Sequence, residues 1–240
     1  MSSFTNSPLV AYTQISPNRT VNRNHKIDTI TIHCVVGQLS AETIGQIFTP
    51  SSAQASSNYG IGVDGRIGMY VEEKDRSWCS SNASNDHRAI TIEVASDKTH
   101  PFAINQAAYN SLINLLADIC KRNDINHLLW KADKNLVGQA EQQNITVHRW
   151  FANKACPGDY IYERLGQIAS EVNDHLAIQE VDKNAPSPFA KLSWDKATNL
   201  KIFDGTNPAN AITREQIAVI LDRVGILDMA AAQRSQLGLD

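Results

Sequence analysis

Short runs rich in β-branched residues alternate along this chain with runs of helical period, and that alternation limits what it can fold into. Residues 27–33 alternate, with Ile30 and Ile32 on one face, and read as a strand ending at His33. Residues 89–95 form a second β-rich run with one carboxylate, Glu93, where an interior strand is expected to hold apolar groups. Residues 59–63 and 66–71 flank Asp64-Gly65, the favoured two-residue type I′ turn, and predict a β-hairpin. Residues 145–148 read as a short strand ending at His148. Within 106–122, Leu112, Ile113, Leu116, Ile119 and Cys120 recur at helical spacing, and Lys121 and Arg122 suit a helix C-terminus. A last helix opened by Gly158 carries Ile161, Leu165, Ile168 and Val172 on one face. This order predicts an α/β fold, a mixed central β-sheet flanked by helices, with the site where strand ends and loops converge.

The chain has 240 residues, enough for one α/β domain and a small second module. The α/β domain is expected over residues 1–177. Residues 178–188 lose periodicity and end in Pro186-Ser187-Pro188, an extended spacer that predicts a linker. Residues 189–240 read as a small helical module, in which Thr213 is a candidate N-cap, Gln216 completes a capping box, and Ile217, Ile220, Leu221 and Val224 form a buried stripe.

A formal charge of −3 without a basic stripe gives no reason to expect nucleic acid or an acidic membrane as partner. No apolar run reaches the ~20 residues of a bilayer span, so no membrane insertion is expected. Residues 1–11 lack the basic start and apolar core of a secretory signal, and the expected site of synthesis is the cytoplasm. Cys34, Cys79, Cys120 and Cys156 show no CxxC spacing, which argues against a zinc ribbon and a disulfide framework, and at most one of them is expected to be chemical.

Of seven histidines, only His33 and His148 end β-branched strands, while Cys156 sits in a turn with Pro157-Gly158 behind it. Two imidazoles and a thiolate suit Zn²⁺ with a fourth position left for water. A polar loop after Trp78, with Ser80-Ser81-Asn82 and Asn85-Asp86-His87, is a candidate groove lining, and Trp150, between two candidate ligands in sequence, a candidate groove wall.

Together, Thr-Ile-His-Cys (31–34), Ser-Asn-Tyr-Gly (57–60) with the following Asp-Gly, Ile-Glu-Val (92–94), and His-x7-Cys ending in Lys-Ala-Cys-Pro-Gly (154–158) resemble the zinc N-acetylmuramoyl-L-alanine amidases. That family shares its fold with the peptidoglycan-recognition proteins and the bacteriophage lysozyme-type amidases, and the resemblance covers roughly residues 27–176. It implies bacterial peptidoglycan as substrate, zinc as cofactor and His33, His148 and Cys156 as its ligands. By the same matching Glu93 activates the zinc water and Lys154 stabilises the oxyanion. Asn58 and Trp150 are expected to contact substrate, and Tyr59 is either substrate-lining or core.

Residues 194–223, with Ile202-Phe203-Asp204-Gly205 and Ile212-Thr213-Arg214-Glu215, are similar to a surface-layer homology repeat, a module that binds cell-wall polysaccharide and usually occurs in three copies. One copy is present here, and self-association would restore multivalency; a small helical cap is the alternative. An amidase domain with such a tail and no export signal resembles a phage or prophage endolysin, held in the host cytoplasm until lysis. Three other readings stay open. They are a binding-only module of the same fold, a metal-free cysteine peptidase with Cys156 as nucleophile and His148 as base, and a purely structural zinc site.

Overall fold

The structure, a computed structural model, describes residues 4–177, 186, 190–208, 210 and 212–236. The expected linker, apart from Pro186, and the first residue of the expected tail module, Phe189, lie outside the described residues. The chain divides into two compact units, Met1–Leu176 and Ala177–Asp240.

In the first unit the strands are β1 (Tyr12–Thr13), β2 (Arg19–Thr20), β3 (Thr29–Val36), β4 (Tyr59–Ile61), β5 (Ile67–Met69), β6 (Arg76–Ser77), β7 (Ala89–Ser96) and β8 (Ile145–Val147). The helices are α1 (Ala41–Phe48), α2 (Ala83–Arg88), α3 (Gln106–Arg122), α4 (Asp159–Tyr162) and α5 (Leu165–Ala177). Six strands make one mixed sheet in the order β1-β5-β4-β7-β3-β8, in which only the β4–β5 pair is antiparallel. Helices cover both faces, as the α/β reading expected.

Register decides which side chains share a face. Ile30, Ile32, Ile90, Ile92, Ile145 and Val147 point to one side and join Leu112, Leu116 and Ile119 of α3 and Leu165, Ile168 and Val172 of α5 in a single buried cluster. Each such aliphatic chain contributes roughly 1.5–3 kcal/mol by leaving water. The alternate residues Thr31, His33, Thr91, Glu93 and Thr146 point to the other side, toward α1 and α2. There Asn85 of α2 donates to Thr31 Oγ1 at 2.9 Å and accepts from Thr146 Oγ1 at 2.9 Å, which satisfies a buried polar layer beneath the site.

Two local expectations need correction. Asp64-Gly65 is not a type I′ turn, because Gly65 alone has positive φ (+81°) and the loop is Val63-Asp64-Gly65, closed by Gly62 N–H to Arg66 O at 2.9 Å. This is a three-residue connection, in which only one position needs glycine. The single last helix is two, α4 and α5, which break at Glu163 and Arg164 while Ile161 and Leu165 stay buried.

The second unit holds α6 (Lys191–Asn199), α7 (Arg214–Arg223) and α8 (Ile226–Gln236). Thr213 and Gln216 form the expected capping box. The expected buried stripe is corrected: Ile217 is 42% and Val224 39% exposed, Ile220 and Leu221 are half-buried, and α7 has no buried residue. Among the described residues the three helices of this unit are short, and they leave such a stripe partly wet. Trp194 stacks on Phe203 at 5.1 Å, beside a cavity of about 600 Å³ that also touches Asp204 and Glu215. Among the described residues no helix is long and apolar enough to cross a membrane.

Candidate metal centre

His33 lies on β3, fully buried, and β7 lays Glu93 directly opposite it in the ladder. His148 opens the turn that follows β8, the strand on β3's other side. The chain then loops back and brings Cys156 Sγ to 3.3 Å from His33 Nδ1. The rings of His33 and His148 stand edge to face with centroids 5.2 Å apart. One donor atom from each of His33, His148 and Cys156 lies within 4.8 Å of the others.

Arg149 braces this return loop. Its backbone N–H donates to Cys156 O at 3.1 Å, and its guanidinium donates to Ala155 O at 2.6 Å and Asp159 Oδ1 at 2.9 Å. Gly158 closes it with φ +81°, at a point where an added Cβ would sit 2.7 Å from Phe102 Cβ, so no other residue fits.

The electrostatics suit a cation. Burial, followed by the charge of His148, lowers the His33 pKa to about 3, and burial, followed by Lys154, lowers that of His148. Both imidazoles are therefore neutral near pH 7 and offer lone pairs. The Cys156 pKa is pushed up, first by a hydrogen bond to Cys34 and then by burial. Metal ligation requires the thiolate, so a dication at this point would displace that proton. Among the described residues, His33 Nε2 and Glu93 Oε2 are buried with no hydrogen-bond partner, a state that costs roughly 1–3 kcal/mol per group in a settled site. Neutral imidazoles, a convergent thiol and orphaned polar atoms fit a divalent transition metal of the zinc type.

Glu93 Oε1 accepts a long contact, 3.8 Å, from Cys79 Sγ, and burial raises the Glu93 pKa to about 7. His33, Cys79 and Glu93 make a second cluster with donor atoms within 4.8 Å, sharing His33 with the first. Cys34, hydrogen-bonded to Cys156, and Cys79, against Glu93, also lie beside the centre, while among the described residues Cys156 is the cysteine that meets both imidazoles. Arg88, whose pairing with Glu93 would have made that carboxylate a structural one, binds Asp28 instead at 2.9 and 2.6 Å.

Beside the cluster opens a cleft of about 450 Å³, lined by Trp78, Cys79, Ser81, His148 and Lys154 among others. The polar loop after Trp78 lines it, although residues 83–88 of that segment form α2 rather than loop. Lys154 is exposed on its rim.

Three expected substrate contacts are not at this cleft. Tyr59 pairs with Ile92, not Glu93, so it faces the apolar side of the sheet; it is fully buried and donates to Glu73 Oε1 at 2.7 Å. Of its two readings, core is the one the structure supports. Asn58 is fully buried, spending its amide on Val71 O at 3.2 Å and its oxygen on the Thr91 N–H at 3.2 Å. Trp150 is 8% exposed and stacks on Trp130 at 5.1 Å, which closes its face to a sugar. Arg149 was not expected as part of the site, because its contacts are tertiary and leave no local pattern; Ser81 and Asp86 belong to the loop read as groove lining, but their particular contacts with His148, Cys79 and Ser80 were hidden for the same reason.

A family model described as N-acetylmuramoyl-L-alanine amidase matches residues 23–159. Comparison with curated proteins finds no match. Among solved structures, the chain is similar to an AmpD derivative at 16% identity and TM-score 0.50, covering 69% of this chain and 99% of that one. It is similar to PlyL at 14% identity and TM-score 0.50, covering 67% and 95%, and to a mutant endolysin from Bacillus subtilis at 16% and 0.48, covering 67% and 97%. At these identities the likeness to the two structures at TM-score 0.50 concerns the fold.

Proposed function

From the premise that this chain belongs to the N-acetylmuramoyl-L-alanine amidase family, we propose that it cleaves peptidoglycan between the lactyl group of N-acetylmuramic acid and the L-alanine of the stem peptide, with zinc held by His33, His148 and Cys156. The observation that carries the reading is the convergence of those three donors within 4.8 Å beside an open cleft. Zinc bound there supplies Lewis acidity toward a carbonyl oxygen and toward water, whose pKa it lowers to about 7.

The side chains do the rest. Glu93, with its pKa raised to about 7, takes a proton at Oε2 as water attacks the carbonyl carbon, and gives it to the alanine nitrogen as the C–N bond breaks. Lys154 Nζ, on the cleft rim, offsets the negative charge that grows on the carbonyl oxygen. The products are a free lactyl carboxylate and a peptide with an alanine N-terminus. Mass analysis of products from a defined peptidoglycan tests this directly; release of disaccharide fragments, or of peptides cut elsewhere, would reject it.

We assign the tail, by its resemblance to one surface-layer homology repeat, to cell-wall polysaccharide, with self-association supplying multivalency. The whole then reads as a phage or prophage endolysin, kept in the host cytoplasm and acting on the wall once the membrane is breached. Deleting residues from 186 onward should leave hydrolysis of soluble muropeptide intact and weaken sedimentation with whole walls. Wall binding equal to that of the full chain would rule out a targeting role.

A further inference from the structure

Ser81 takes no part in the chemistry above, yet its Oγ lies 3.0 Å from His148 Nε2. The contact is built at some cost. Ser81 has φ +61°, in the left-handed region that a residue with a Cβ seldom occupies, and such strain persists only where the surroundings hold it. Here they do. The buried Asp86 carboxylate accepts the backbone N–H of Cys79 at 3.1 Å and of Ser80 at 3.2 Å, as well as the Ser80 hydroxyl. On the other side Asn82 caps α2, accepting the Asn85 N–H at 2.9 Å. Ser81 is thus the tip of a loop pinned at both ends.

An imidazole offers a metal one nitrogen, and the hydrogen bond made by its other nitrogen decides which. Ser81 occupies Nε2 of His148, which leaves Nδ1 as the nitrogen available to a metal shared with His33 and Cys156. We propose that Ser81 is a positioning residue that holds the His148 ring by its Nε2–H and so presents Nδ1 as the metal-binding lone pair. The inference rests on the metal-centre reading above.

Ser81→Gly tests it, because glycine accepts φ +61° freely and the variant loses the hydroxyl without straining the loop. Zinc affinity, measured by competition with a chromogenic chelator, should fall about 10–100-fold. The thermal midpoint of the metal-free protein should stay level or rise. In the wild type, long-range ¹H–¹⁵N spectra of the labelled histidines should show His148 protonated at Nε2, with and without zinc, and S81G should show mixed tautomers before metal is added. Undiminished zinc affinity in S81G, or a proton on Nδ1 in the zinc-loaded wild type, overturns the proposal. Failure of the wild type to bind zinc at all removes the metal centre itself, a separate result.

Discussion

Stripping divalent metal from the purified protein should slow its hydrolysis of peptidoglycan by roughly 10³-fold or more, and added zinc should restore the rate. Metal polarisation of a carbonyl is worth several kcal/mol, and each ~1.4 kcal/mol is a factor of ten. Little in the chain could replace that contribution, since Lys154 offers one exposed ammonium at the cleft rim. Cys156→Ala should behave as a stripped enzyme even in excess zinc, because two neutral imidazoles would remain and the charge-compensating thiolate would be gone. The same pair of experiments separates the rival chemistries. A thiol peptidase would lose activity in C156A but tolerate the chelator, whereas a binding-only protein would hold zinc and release no product. The geometry already weighs against the thiol route. The thiol reading pairs Cys156 with His148 and leaves His33 without a role, yet the hydrogen-bond contact of Cys156 Sγ is with His33 Nδ1 at 3.3 Å, and its pKa is driven upward, where a nucleophilic cysteine needs it lowered. Full activity after complete metal removal would refute the centre.

What the sequence disclosed and what it withheld follow from the same rule of register. The period-2 runs around Ile30 and Ile90 announce strands, and a histidine or glutamate ending or interrupting such a run has no place in an apolar layer. His33, Glu93 and His148 could therefore be picked out before any fold was known. Tyr59 could not be placed, because one step of register separates Ile92, its actual neighbour across the ladder, from Glu93, and that step moves a side chain to the opposite face. Trp150 sits between two candidate ligands in sequence, but the turn after β8 sends it into the core against Trp130. The supporting contacts were hidden for a different reason. Ser81 meets His148 across 67 residues of chain and Cys156 meets His33 across 123, and no local pattern encodes pairings at such separations. Cys34 and Cys79 carry no spacing that sets them apart, and no local pattern encodes their contacts with Cys156 and Glu93.

Replacing Glu93 by glutamine should slow turnover by roughly 10²- to 10⁴-fold, the range for losing a positioned proton acceptor, while leaving zinc content unchanged. The substitution preserves shape and removes basicity alone. A purely structural carboxylate would give a different pattern, since breaking a needed ion pair would lower stability, yet among the described residues Glu93 has no cationic partner to lose. Arg88 is committed to Asp28, and Glu93 Oε2 is buried without any hydrogen bond. An ionised group in that state is a burden on the fold, so the neutral amide should leave the thermal midpoint equal to or above that of the wild type. A rate that falls while stability holds is the signature of a group kept for chemistry. The two measurements, single-turnover hydrolysis and thermal denaturation of the zinc-loaded protein, must be read together. If E93Q turns over at the wild-type rate, the proton leaves the attacking water by another path and Glu93 is not the base.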